Sequence, residues 1–210
     1  GHGGICGPMA RSLDKGRTWE KVTDVPEGWK NAYNCPPLFV VPDPTTESEH
    51  MVTYAVKFSQ NGTRYMAYAC SPDGGYSWSD FDYCISPDSR DTLIASIMPF
   101  TTIVPVLEGK ALIGSTNLRS KYRPYGVGGD VIGQSYSFDG GRSWSDWRII
   151  LDMDGTSSPC EPFIVRSPKG NQLLMIMREN NHAYRALAMY SNDEGATWSR
   201  PWRLSAAVTF

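Results

Sequence analysis

Long apolar runs are missing from this sequence: no stretch approaches the length of a membrane span, which excludes a helical anchor among these residues. An excess of one charge is missing too. Twenty Lys and Arg against 22 Asp and Glu leave a formal charge of −2, so no bulk electrostatic force favours nucleic acid or a membrane surface. No signal peptide is visible in these residues, which begin in mid-pattern at Gly1 and leave a leader further upstream open. The five cysteines (Cys6, Cys35, Cys70, Cys84 and Cys160) lack any metal-type spacing. At most two disulfides could form among them, and buried free thiols are the expected state. No helical periodicity, linker or low-complexity segment appears, so residues 1–210 are expected to form one domain.

What is present points to strands and turns. Seven Trp and 11 Tyr accompany 20 Gly and 15 Pro. One phrase, Ser-x-Asp-x-Gly-x-(Ser/Thr)-Trp, occurs four times. It runs Ser12–Trp19, Ser71–Trp78, Ser137–Trp144 and Ser191–Trp198, at intervals of 59, 66 and 54 residues. Asp accepts bonds from its own turn, Gly takes the φ > 0 position, and Ser or Thr adds a local hydroxyl bond. Trp buries a large ring. A phrase so rich in turn chemistry marks one structural unit used repeatedly.

Around each phrase four alternating strands are legible. The second unit reads 38–41, 51–58, 64–70 and 78–85. The third reads 100–106, 111–117, 131–136 and 144–151, and the fourth reads 163–165, 172–178, 184–190 and 198–204. Pro37, Pro99 and Pro162 open the inner strands 62 and 63 residues apart, which confirms the register. Four-stranded antiparallel units repeated radially predict an all-β fold, a β-propeller. About three and a half blades are present. Terminal blades of such a fragment would expose edges and bare apolar faces, so the chain is expected to be part of a longer protein.

In an up-and-down blade the first-to-second and third-to-fourth turns share one face. The four boxes lie there and are expected to be structural. Site candidates are polar residues at inner-strand starts (Pro36, Met98, Glu161) and second-strand ends (Phe58, Asn117, Arg178). Only the fourth blade offers a carboxylate and a guanidinium, Glu161 and Arg178, which form either a plain salt bridge or a site. Loops on the same face add Arg119, Lys121, Tyr122, Arg123 and Tyr125. Asn180, Asn181, His182, Tyr184 and Arg185 follow, with Ser89, Arg90 and Asp91. Cations, amides and rings together suit an anionic sugar: Arg forks a carboxylate and aromatic rings stack on the sugar.

The repeated box resembles that of the sialidase (neuraminidase) superfamily, six-bladed propellers marked by this bacterial neuraminidase repeat. Sortilin-type receptors and some xyloglucan-active glycosidases also carry the box. More specific is the segment Glu161 to Gly170 followed by Leu173 to Arg178. It is similar to the sialidase segment in which a strand-opening Glu precedes, past a hairpin, an Arg closing the next strand. The resemblance implies that Glu161 is the base towards a tyrosine nucleophile and that Arg178 is one of three arginines gripping the sialic acid carboxylate. Arg119, Tyr184, Arg185 and Asp91 are further candidates for substrate contact. It implies a retaining exo-sialidase acting on sialylated or other acidic glycans outside the cell or in the periplasm, with no cofactor and no metal. The family's first arginine would precede Gly1. Its acid Asp would fall where Gly1-His2-Gly3-Gly4 stands, and its third arginine and tyrosine would follow Phe210. The alternative is a non-catalytic carbohydrate-binding or protein-interaction propeller.

Overall fold

A computed structural model of the chain describes residues 9–33, 37–58, 60, 62, 64–85, 94–120, 130–180 and 185–204. The first blade is present as a two-stranded sheet, β1 (Ala10–Arg11) and β2 (Glu20–Lys21). The second is the sheet β3 (Leu38–Asp43), β4 (Ser48–Phe58), β5 (Arg64–Ser71) and β6 (Asp82–Ile85), in that order. The third comprises β7 (Ile94–Ile97), β8 (Thr102–Val106), β9 (Ala111–Ser120), β10 (Asp130–Ser137) and β11 (Arg148–Leu151). The fourth is β12 (Pro159–Arg166), β13 (Leu173–Glu179), β14 (Leu187–Ser191) and β15 (Trp202–Arg203). All pairings are antiparallel, and the architecture is that of a partial β-propeller.

Three boundaries differ from expectation, each for a local reason. The inner strand expected at 100–106 begins at Thr102 and is preceded by a further strand: β7 and β8 both pair with β9, with a gap at 98–101. The second strand of that blade runs past Asn117 to Ser120, because Arg119 still has Asp130 and Ser96 as register partners. In the second, third and fourth blades the outer strand begins four residues after the box Trp. In the first three boxes that ring folds back, and Nε1 of Trp19, Trp78 and Trp144 donates to the carbonyl of the box Gly at 3.1, 3.2 and 3.1 Å.

The boxes close as their chemistry dictates. In each, the Ser hydroxyl donates to the Asp carboxylate at 2.8 Å. The same oxygen accepts from the Gly N–H, at 2.7, 2.7, 2.8 and 2.9 Å along the chain. The other Asp oxygen takes the Ser or Thr hydroxyl four residues on, at 2.5–2.7 Å. Glycine is required twice over: Gly141 and Gly195 sit at φ +87° and +79°, and a Cβ there would lie 2.4 Å from the Tyr54 Oη and 2.3 Å from the Ile113 Cδ1.

Those close approaches show what the boxes do beyond turning the chain. In the second, third and fourth blades the box Gly carbonyl also accepts a bond from the preceding blade. Arg11 donates to Gly75, the Tyr54 hydroxyl to Gly141 at 2.7 Å, and Gln134 Nε2 to Gly195 at 3.1 Å. First-to-second-strand turns join the same face. Asp43 and His50 of the second blade reach Arg142 and the Gly140 carbonyl, and the Leu107 N–H of the third blade donates to Glu194 of the fourth at 3.1 Å. The boxes are therefore inter-blade latches on the face away from the candidate site.

Apolar layers fill the space between blades. Val41, Val52, Tyr54 and Met66 meet Phe100, Leu112, Leu118 and Trp144 between the second and third. Val106, Ile113 and Ile132 meet Ile164, Leu173, Met175 and Met189 between the third and fourth. The first blade's Met9 and the Val25–Trp29 segment cover part of the second through Ala69 and Trp78. Apolar side chains stay exposed on two blades: Leu38 and Val40 are 47% and 58% exposed on the second, Phe163 and Val165 58% and 41% on the fourth. Among the described cysteines, Cys70, Cys84 and Cys160 are free thiols.

Candidate functional site

Register, rather than strand length, decides which positions correspond between blades. The box serines Ser71, Ser137 and Ser191 pair with Met51, Leu112 and Leu173 on the second strands. Counting five residues on from each gives Val56, Asn117 and Arg178. Two more give Phe58, Arg119 and Asn180. The expected equivalence of Phe58 with Asn117 and Arg178 is thus corrected: the second blade places buried Val56 at that level, and Phe58 stands with Arg119 and Asn180. Side chains alternate along a strand, so all six residues lie on the face that each blade turns towards its successor.

At this level of the fourth blade, Glu161 and Arg178 meet. Arg178 Nε donates to Glu161 Oε2 and Nη2 to Oε1, both at 2.7 Å, and Nη1 donates to the Asn180 Oδ1 at 3.0 Å. The side chains are 34% and 44% exposed. Hydrogen bonds to Glu161 push the Arg178 pKa further above its ordinary value, so this guanidinium stays charged. Beside it Cys160 is inert, because burial pushes its thiol up to about 12.

The backbone that presents Glu161 is unusual. Cys160 pairs with Arg178 and Phe163 with Ile176, so β12 has one residue more than β13 between these pairs. This is a β-bulge, and Glu161 occupies it at φ +50°. A left-handed non-glycine residue of this kind costs roughly 1–2 kcal/mol. The strand enters the bulge from a braced loop: Glu179 Oε1 accepts from Ser157 Oγ at 3.1 Å and Ser158 N at 3.0 Å, and Ser158 Oγ donates to Asp130 Oδ2 at 3.0 Å. Asp130 belongs to the third blade, so the brace crosses the blade boundary.

Of the other sequence candidates, Arg119 lies in β9 rather than in a loop, two residues beyond Asn117 on the same side of the strand. Arg185 is exposed and precedes β14 at the same end of the sheet. Asp91 and Tyr184 lie outside the described residues, as do Lys121, Tyr122, Arg123, Tyr125, Asn181, His182, Ser89 and Arg90. On the second blade the rim is aromatic. Phe58 packs edge-on to Tyr33 with centroids 4.9 Å apart, and the Arg64 guanidinium lies 5.4 Å from the Phe58 ring. Sequence reasoning did not find the brace of Asp130, Ser157, Ser158 and Glu179, nor Thr101, described below. The pair Ser157-Ser158 ahead of Pro159 was the one available signal. Among the described residues no group of three or more His, Cys, Asp or Glu could hold a metal ion.

Comparison with known proteins adds the lineage. The pattern of the BNR repeat-like domain matches residues 36–209. No curated protein matches the chain. Among solved structures, an alpha-L-arabinanase of Penicillium chrysogenum complexed with arabinobiose superposes with a TM-score of 0.63 at 16% identity, over 94% of this chain and 58% of that one. An alpha-L-arabinofuranosidase of Fusarium graminearum bound to an iminosugar inhibitor gives 0.61 at 17%, over 89% and 55%. A Hadza microbial sialidase gives 0.60 at 19%, over 91% and 39%. At such identities the likeness speaks for the fold. The chain spans a little over half the length of the first two proteins.

Proposed function

The chain belongs to the BNR repeat-like domain family, and on that premise we propose that it carries part of the active site of a retaining glycoside hydrolase that releases a terminal acidic sugar, foremost sialic acid, from glycans. The observation that supports this most is the Glu161–Arg178 pair: a half-exposed carboxylate on a strained bulge, gripped at 2.7 Å by a permanently charged guanidinium. Six other described non-glycine residues are left-handed, all in turns or the short 3-10 segment at 107–109; Glu161 is the one inside a strand, and an outlier held there motivates a functional reading.

In this reading Glu161 is the base. It takes the proton of a tyrosine hydroxyl as that oxygen attacks the anomeric carbon, while an acid protonates the departing oxygen. The anomeric carbon of sialic acid bears a carboxylate, which would repel a carboxylate nucleophile and favours a neutral phenol. Hydrolysis of the tyrosyl intermediate then retains configuration, an exception to the two-carboxylate scheme. Arg178 meets the substrate carboxylate end-on. Its Nε–Nη2 edge is engaged by Glu161, but Nη1 and Nη2 each carry a second N–H. Arg119, Arg185, Asp91 and Tyr184 are assigned substrate contacts around this pair, and the propeller is treated as one domain. A glycan substrate places the protein outside the cell or in the periplasm.

One observation favours a second reading. Glu161 already occupies the bidentate edge of Arg178, an arrangement that also serves if the arginine only holds the base. A neutral sugar would then suffice, and two of the similar structures are named for action on arabinan and arabinofuranosides. Release of a fluorogenic aglycone from a sialoside and from an arabinofuranoside separates the two. Glu161→Gln is expected to lower turnover of the preferred substrate by about 10²–10⁴, the worth of a general base. Wild-type turnover in Glu161→Gln sinks the role of Glu161, and binding of sialic acid without turnover of either substrate favours a non-catalytic carbohydrate-binding propeller.

A further inference from the structure

Two breaks in regular pairing face each other across the boundary of the third and fourth blades. On the fourth, the bulge leaves Glu161 and Pro162 both opposite Met177. On the third, the inner strand is interrupted between Ile97 and Thr102. The backbone groups released by the bulge are taken by third-blade side chains. Thr101 Oγ1 donates to the Pro162 carbonyl at 2.6 Å, and the Glu161 N–H donates to Asn117 Oδ1 at 3.4 Å. One step further on, the Ile164 N–H donates to Thr102 Oγ1 at 3.1 Å. Thr101 is itself fixed, since its N–H donates to the Ser115 carbonyl at 3.0 Å.

This clamp differs from what happens one blade earlier. Pro99 corresponds to Pro162, and its carbonyl is taken by Thr116 Oγ1 of its own blade at 2.8 Å. General adhesion between blades is already supplied by the apolar layers and the box latches on the opposite face. The cross-blade clamp is applied to the one inner strand that carries a carboxylate at its start.

We propose that Thr101 and Asn117 are positioning residues for Glu161: they hold the bulge open and thereby set the Glu161 carboxylate against Arg178. The role in turnover rests on the glycosidase reading above, but the positioning itself does not. Thr101 acts through the carbonyl of Pro162, the residue after the left-handed one, and Asn117 through the N–H of Glu161 itself. Releasing them lets the bulge relax towards the ordinary extended conformation, which turns Glu161 away from Arg178.

The test reads the pair directly. In ¹H–¹⁵N spectra of the protein, Arg178 Nε–H should give a resolved, slowly exchanging signal because it is bound to Glu161. Thr101→Val keeps the shape and removes the hydroxyl. It should speed exchange of that signal by about five- to tenfold, the factor that one lost hydrogen bond is worth. The indole signals of Trp78 and Trp144 in the boxes should stay unchanged. Thr101→Ser should restore the wild-type rate, and Asn117→Leu should act like Thr101→Val while Asn117→Asp, which keeps an acceptor, should not. Wild-type exchange in both Thr101→Val and Asn117→Leu overturns the proposal. So does parallel loss of the Trp signals, which would make the contacts plain structural support. If the Arg178 signal responds as expected but no glycoside is cleaved, the positioning stands and the proposed reaction falls.

Discussion

Replacing Tyr54 by Phe isolates what a box latch contributes. Tyr54 is fully buried on β4, its ring edge-on to Phe100 at 5.1 Å and to Trp144 at 5.9 Å. Its hydroxyl crosses to the next blade's Gly141 carbonyl at 2.7 Å. Burial pushes the phenol well above its ordinary pKa, so it is a donor at every accessible pH. Removing the oxygen does not orphan the acceptor, because Trp144 Nε1 still donates to Gly141 at 3.1 Å. The cost is then one net hydrogen bond, about 1 kcal/mol, and not the larger penalty of an unsatisfied buried carbonyl. For a chain of this size that corresponds to a drop in Tm of about 2–4 °C, measured by calorimetry or near-ultraviolet circular dichroism. Trp144→Phe combined with Tyr54→Phe leaves the carbonyl with neither donor, and the pair should lose more than the sum of the single changes, by about 0.5–3 kcal/mol. Tyr54→Phe melting at or above the wild-type temperature, or strict additivity of the double variant, would refute the latch.

Acid should loosen the boxes together. Hydrogen bonds from Thr18, Ser77 and Thr197 hold Asp14, Asp73 and Asp193 down at about 2, against an ordinary 3.8. Carboxylates depressed in the folded state stabilise it above their unfolded pKa and lose that contribution as pH falls through the folded one. Tm should therefore fall between pH 3.8 and about 2, and Asp73→Asn should flatten that slope as well as lower Tm at pH 7. Thiol labelling tests the cysteines: burial pushes Cys160 up to about 12 and raises Cys84 well above its ordinary value, so both should resist alkylation at pH 8 in the native protein and react once it is unfolded. Labelling of Cys160 at the rate of a free thiol in native protein would contradict its placement behind Arg178.

Much of the architecture follows from local chemistry. The Ser, Asp and Gly of each box satisfy one another within eight residues, as does the Trp in the first three, so the turn itself needs no distant partner. Alternation between boxes then assigns the strands, and the repeat assigns the blades. The pairing of Glu161 with Arg178 was also legible, because strand ends in one hairpin must meet at the rim. Sequence spacing was less reliable where a strand gains residues or breaks. The extra residue opposite Met177 and the gap before Thr102 change register without changing composition or periodicity.

The sequence by itself determined the unit, its count and its two faces, since turn chemistry and period-two alternation act over a few residues. Only the tertiary structure decided which level of the rim each blade contributes. It set Val56, and not Phe58, beside Asn117 and Arg178, because antiparallel register is counted from the box serines across the sheet. It also decided how Glu161 is held. The bonds that Thr101 donates and that Asn117 and Asp130 accept join residues that are distant in sequence, and they form only because the packed apolar layers bring the third and fourth blades together at that rim.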